Sequence, residues 1–137
     1  MAPPGDVAAT RITDVMPLPA EGVFAGEDPH WVAFFDGAES LRRQDENPRA
    51  KFRPRGYSCE EIGGAMIATQ PDLADAQRLS RLAPWFLSPH GTGSSRYAST
   101  LVTQEGIWAT WQQAQPSGAQ PLVGHFLPMA RVIDLLS

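Results

Sequence analysis

The sequence has few of the residues on which metal sites and many catalytic sites depend. It contains a single cysteine, Cys59, so an intramolecular disulfide and a thiolate cluster around a metal are both excluded. Its three histidines stand far apart and do not form the His-Glu-x-x-His motif of zinc hydrolases. The Gly-x-Ser-x-Gly motif and the dinucleotide-binding glycine motif are missing too. The sequence therefore predicts no metal site and no cofactor, and it favours a binding protein over an enzyme.

Long apolar runs and a targeting signal are also lacking. No stretch approaches the roughly 18 apolar residues that a membrane-spanning helix needs. Residues 1–6 do not have the basic start and apolar core of a secretory signal. The single cysteine suits a reducing compartment. Together these features predict a cytoplasmic protein that does not bind a membrane.

The composition that remains is typical of one loop-rich domain. Hydrophobic residues make up 42% of the 137 residues, which argues against overall disorder. Thirteen prolines and twelve glycines favour short elements with irregular connections. Residues 1–9 are rich in small residues and proline, so we expect a frayed start followed by a single domain over 10–137. Ten of the eleven basic residues are arginine, a bias typical of G+C-rich bacterial genomes and not a sign of function.

Several segments have the residue pattern of β-strands. The clearest is a hairpin with strands at 97–103 and 107–113, because its three-residue loop ends in Gly106 and matches a type I turn followed by a glycine bulge. Residues 30–35 are aromatic and β-branched with little polar alternation, which predicts a central strand buried on both faces. Further strands are expected at 11–18 and 121–127, and 129–136 fits either a strand or a short helix.

Two helices are predicted in the middle of the chain. Ser58 and Glu61 form a Ser-x-x-Glu capping box at the start of the first, and apolar residues follow at helical spacing. Pro71 opens the second, which has acidic residues near its start, arginines near its end and an apolar stripe that stops before Pro84. We therefore expect an α+β domain in which an antiparallel sheet of about five strands carries both helices on one face.

A loop at 88–95, Ser-Pro-His-Gly-Thr-Gly-Ser-Ser, is the candidate site for a small molecule. Its glycines permit backbone conformations in which successive N–H groups surround a phosphate or carboxylate, and its hydroxyls and the following arginine can add hydrogen bonds. His90 and His125 are the candidate acids or bases beside such an anion. A solvated connection with ordinary turn residues is the simpler alternative. The predicted anion-binding residues are Gly91, Gly93, Ser94, Ser95 and Arg96.

Basic residues are concentrated at 42–55. This segment holds six of the eleven basic and two of the fifteen acidic residues, a charge of +4, and the rest of the chain carries −8. Phe52 stands between Lys51 and Arg53, and Tyr57 follows the segment. Basic side chains with aromatic neighbours suit an acidic protein surface or a nucleic acid, whereas a solvated loop is the simpler alternative. Because the net charge is −4, we rank an acidic protein partner above nucleic acid, with an anion-binding enzyme or ligand-binding protein as a further alternative. The predicted partner-binding residues are Arg49, Lys51, Phe52, Arg53, Arg55 and Tyr57.

Overall fold

The computed structural model describes residues 9–39, 60–87, 95–117 and 119–137. In these ranges the chain forms seven β-strands, a 3-10 turn at Gly22–Phe24 and one α-helix. No helical segment within them has the length and apolarity that crossing a bilayer requires. The elements are β1 (Ala9–Pro17), β2 (Trp31–Glu39), β3 (Glu60–Ala68), β4 (Gln77–Arg78), β5 (Ser95–Val102), β6 (Gly106–Gln113), β7 (Leu122–Pro128) and α1 (Met129–Leu136).

The strands form two antiparallel sheets. The first sheet has the order β1-β2-β3-β4 and the second has the order β5-β6-β7. Every neighbouring pair runs antiparallel. The predicted α+β domain, with about five strands in one sheet and two helices on one face, is therefore wrong. The described part of the protein is mostly β and has a single helix.

The first predicted helix is in fact the strand β3. It pairs with β2 along its whole length, from Ala68 opposite Trp31 to Glu60 opposite Glu39. Ile62 and most of its neighbours are buried, so the strand has no polar face and its apolar residues fit a helical period as well as a strand. The predicted cap, Ser58, lies outside the described residues. Pairing over nine residues decides in favour of the strand.

The second predicted helix is a series of turns followed by the short strand β4. Asp75 accepts hydrogen bonds from the backbone N–H and hydroxyl of Thr69, and Asp72 accepts one from the N–H of Ala74. Leu73 has φ 62°, which a helix interior does not allow. The aspartates that suggested a helix start therefore close local turns, a role for which short acidic side chains are equally suited.

Other strands agree with the sequence pattern. The β5–β6 hairpin is confirmed, with Val102 paired to Ile107 across a loop that ends at Gly106. The central strand predicted at 30–35 is also confirmed, because β2 lies between β1 and β3 and buries consecutive residues on both faces. Of the two alternatives for 129–136, the structure has the helix α1.

The second sheet packs on one face of the first through β5, which contacts β1, β2 and β3. This inner face carries Phe34 and Asp36 of β2, since residues two apart on a strand point to the same side. Two carboxylates of the first sheet accept hydrogen bonds from the backbone of β5. Asp36 Oδ2 lies 2.7 Å from the Tyr97 nitrogen, and Asp14 accepts from the N–H and hydroxyl of Thr100. These contacts fix the spacing of the two sheets.

Candidate functional site

A cavity of about 250 Å³ lies between the two sheets. Its first wall comes from β2 and from residues 85–87, which follow β4. Its second wall comes from β5 and β6. The lining residues of the first wall are Phe34, Trp85, Phe86 and Leu87, and those of the second wall are Ser95, Ala98, Thr100, Ala109, Thr110, Trp111 and Gln113.

The first wall depends on how residues 85–87 are tied to β3. The backbone N–H groups of Trp85 and Phe86 donate to the Gly63 carbonyl oxygen at 2.8 and 3.0 Å, and the Gly63 N–H donates to the Phe86 carbonyl at 3.1 Å. A Cβ at Gly63 would lie 2.6 Å from the Phe35 carbonyl oxygen and 2.8 Å from Phe86 Cδ2. Glycine at this position therefore lets the Phe86 ring meet Phe34 edge-on, with centroids 5.8 Å apart.

The second wall is shaped by an irregularity in β5. Its pairing with β6 shifts register between Arg96 and Ser99, which is the mark of a β-bulge. Inside the bulge Tyr97 has φ 55°, a left-handed conformation that is unusual for a bulky residue. The hydrogen bond from its N–H to Asp36 holds it there. Ala98, the next residue, lines the cavity.

The polar end of the cavity is formed by the last residues of β6 and the first residue of β5. Trp111 and Gln113 alternate along β6 and so share a face. The Trp111 indole Nε1 donates to Gln113 Oε1 at 3.0 Å. Ser95 lies opposite Gln113 in the ladder and is 4% exposed. The cavity therefore combines aromatic walls with one hydroxyl and one amide at the same end.

Beside the cavity, charged side chains bridge the sheets in what we call the polar junction: Arg11, Asp14, Asp36, Glu61 and Arg96. Arg11 Nε lies 2.8 Å from Asp36 Oδ1, and its Nη2 donates to Glu61 Oε1 at 2.8 Å. Arg96 Nη1 pairs with Glu61 Oε2. Both guanidinium groups lie over the Tyr97 ring, with Cζ 4.2 and 4.7 Å from its centroid. The two arginines therefore have carboxylate partners within the junction.

The pKa values in the junction reflect different exposure. Burial raises the pKa of Asp36, and the hydrogen bond from Tyr97 and the charge of Arg11 lower it by less. For Arg11, burial lowers the pKa, but the hydrogen bond to Glu61 and the charges of Asp36 and Glu61 raise it by more. The side chain of Asp36 is 5% exposed and that of Arg11 is 42% exposed. Asp36 therefore bears most of the desolvation of this pair, and its Oδ1, although near Arg11, makes no aligned hydrogen bond.

The predicted anion-binding and catalytic residues are only partly described. Ser95 lines the cavity, and Arg96 pairs with Glu61 and also donates from Nε to Gln112 Oε1 at 2.9 Å. His125 is exposed on β7 and is not among the residues that line the cavity. The anion-binding and catalytic roles stay predictions. Outside the described residues lie His90, Gly91, Gly93, Ser94 and all the predicted partner-binding residues, Arg49, Lys51, Phe52, Arg53, Arg55 and Tyr57.

Sequence reasoning missed Trp85 and Phe86 as lining residues of the cavity. Trp85 and Phe86 directly follow Pro84, and an apolar run after the end of a predicted helix was the available signal. Trp111 and Trp108 lie on opposite faces of β6, as alternation requires. Trp111 lines the cavity, whereas Trp108 is half exposed and packs on Phe126 with ring centroids 4.6 Å apart.

No protein-family model, curated protein or solved structure matches the chain. Within the part of the chain that the structure describes, no three His, Cys, Asp or Glu side chains are grouped so that they could hold a metal ion. The function is therefore inferred from the geometry of the cavity and the charges around it.

Proposed function

We propose that the protein is a binding module that holds a small aromatic molecule in the cavity between its two sheets. The supporting observation is a space of about 250 Å³ walled by four aromatic residues, Phe34, Trp85, Phe86 and Trp111. A dry protein cavity of roughly 150 Å³ with apolar walls binds benzene. The larger space therefore suits a molecule with two fused rings.

Binding fits the lining residues better than catalysis does. Thr110 is also a lining residue, but alternation along β6 turns its side chain away from the face of Trp111 and Gln113. The polar groups that the described residues offer to the cavity are the hydroxyls of Ser95 and Thr100 and the amide of Gln113. None of these groups exchanges a proton readily near neutral pH, which general acid–base catalysis requires. The described walls therefore suit a site that holds and orients a molecule.

Thermal-shift and calorimetric titrations with fused-ring compounds, beginning with indane and indole, test the proposal. A ligand at about 100 times its dissociation constant stabilises the protein by about 2.7 kcal/mol. Ala109→Leu places a larger side chain in the cavity and should abolish the response, whereas Ala130→Leu on the exposed side of α1 should preserve it. The proposal fails if no compound shifts the melting temperature at millimolar concentration, or if Ala109→Leu responds like the unchanged protein.

The charge asymmetry of the chain supports a second candidate function, contact with an acidic protein partner in the cytoplasm through residues 42–55. The segment carries +4 and the remainder −8, so an acidic surface would be attracted to one part of the molecule. Polyglutamate should bind at low salt and be released as salt is added. Reversing Arg53 and Arg55 to glutamate should remove this binding, and Arg131→Glu on α1 is the matched control. Stronger retention of oligonucleotides than of polyglutamate would favour a nucleic-acid partner instead.

A further inference from the structure

We infer that the cavity selects aromatic molecules that carry a neutral hydrogen-bond acceptor, such as a ketone or amide carbonyl, beside Gln113. The inference rests on the proposed function, because it assigns the polar contact of a ligand in the same cavity.

The orientation of the Gln113 amide follows from its neighbour. An indole N–H can only donate, so the Gln113 atom that lies 3.0 Å from Trp111 Nε1 has to be the carbonyl oxygen Oε1. The amide nitrogen Nε2 then points away from Trp111 with its N–H donors. Among the described residues no atom accepts a hydrogen bond from this nitrogen. A hydrogen-bond acceptor on a bound molecule would satisfy this donor.

The Gln113 amide nitrogen differs from the hydroxyls near it because it can only donate hydrogen bonds. The hydroxyl of Thr100 already donates to Asp14, so inside the cavity its oxygen can only accept. Ser95 lies directly opposite Gln113 and can donate or accept. A carbonyl oxygen at this end of the ligand can therefore receive hydrogen bonds from the Gln113 amide and the Ser95 hydroxyl.

The same surroundings favour a neutral acceptor over a carboxylate. No charged side chain lines the described walls of the cavity. The neighbouring cations, Arg11 and Arg96, already pair with Asp36 and Glu61. A carboxylate placed among the aromatic rings would lose its hydration without gaining a counter-charge, which is costly.

The test compares three molecules of nearly the same shape by calorimetry: indane, which has no acceptor, indanone, which adds a ketone, and an indane carboxylate. One additional hydrogen bond should make indanone bind roughly five- to tenfold more tightly than indane. The carboxylate should bind more weakly than indanone. On binding of indanone, the side-chain amide resonances of Gln113 should shift in an NMR spectrum, and indane should shift them less.

Two substitutions assign the contact to this residue. In Gln113→Glu one oxygen can still accept from Trp111, but the other cannot donate, and in Gln113→Met the side chain keeps its length without a donor. Both should remove the preference for indanone while indane still binds. Gln104→Met, in the exposed turn of the hairpin, should leave the preference intact. If a Gln113 variant fails to fold, the wild-type affinities and amide shifts decide.

Different failures have different meanings. Equal affinity for indane and indanone would overturn the inference and leave the proposed function standing. A preference for indanone that persists in both Gln113 variants, or tighter binding of the carboxylate, would also overturn it. If none of the three molecules binds, the proposed function fails and the inference falls with it.

Discussion

The two sheets meet in two contrasting ways. In the polar junction, acidic side chains of the first sheet accept hydrogen bonds from the β5 backbone and arginines pair with carboxylates. A few residues away, the same strands leave a space lined by aromatic rings. Phe34 and Asp36, two positions apart on β2, belong one to each region. The two regions therefore have different roles. Directional polar contacts hold the sheets apart, and this spacing keeps the apolar walls from closing on each other.

A substitution at Gly63 should disrupt the aromatic wall of the cavity. In Gly63→Val the new side chain would press against the Phe35 carbonyl oxygen and the Phe86 ring, so residues 85–87 would have to move. We expect a loss of about 3 kcal/mol in the free energy of unfolding, measured in urea, together with loss of aromatic ligands. Gly124→Ala is the control, because its nearest atoms lie at 3.5 Å, and it should change stability by less than about 0.5 kcal/mol. Equal effects of the two substitutions would contradict the close approach at Gly63.

A substitution at Asp14 should weaken the polar junction. Asp14→Ala removes the acceptor of both the Thr100 N–H and its hydroxyl, which should cost about 2 kcal/mol of unfolding free energy. Thr100→Val removes only the hydroxyl and should cost about 1 kcal/mol. Asp134→Ala, at an exposed ion pair on α1, should stay within about 0.5 kcal/mol in the same urea titration. If Asp14→Ala is no worse than Asp134→Ala, the carboxylate does not hold the sheets together.

The pH dependence of stability tests the role of Asp36 in the polar junction. Burial raises the folded-state pKa of Asp36 above the unfolded value of about 3.9. The stability it contributes is therefore greatest below that value and is lost as pH rises through the folded pKa. The unfolding free energy of the wild type minus that of Asp36→Asn should fall over this interval and then level off.

Asp75 supplies the opposite case for the same measurement. Hydrogen bonds from the hydroxyl and N–H of Thr69 lower its pKa. Its contribution is present above the unfolded value and is lost as pH falls through the folded pKa. The difference between the wild type and Asp75→Asn should therefore rise with pH. Slopes of the same sign for the two aspartates would contradict the assignment of burial to one and hydrogen bonding to the other.

Local patterns in the sequence are sufficient to predict some secondary-structure elements but not others. The β5–β6 hairpin is encoded by neighbouring residues, because its strands flank a short loop ending in Gly106. In β3 the information is not local. Its glycines fit residues distant in the chain: a Cβ at Gly64 would overlap Ser80 Oγ, and Gly63 faces Phe86. A strand buried on both faces shows no alternation of polar and apolar residues, so its sequence pattern does not distinguish it from a helix.

The candidate site was harder to predict than the hairpin for a similar physical reason. Alternation places Trp108 and Trp111 on opposite faces of β6, but only the packing of the sheets decides which one lines the cavity. The pairing of Ser95 with Gln113 depends on the bulge that follows Arg96, and a register shift changes which residues share a face. The hydroxyls and glycines of 88–95 are close together in the sequence and so form a recognisable loop motif. The aromatic walls come from segments far apart in the sequence.

The long separation between partners in the polar junction has a consequence for how the protein folds. Asp14 and Thr100 are 86 residues apart, and Asp36 and Tyr97 are 61 residues apart, whereas the strands of the second sheet follow one another directly. Closing such long loops is entropically costly, so the sheets should form before they dock. The cavity then exists only after docking, late in folding. A molecule that fills it should slow unfolding and leave the folding rate nearly unchanged.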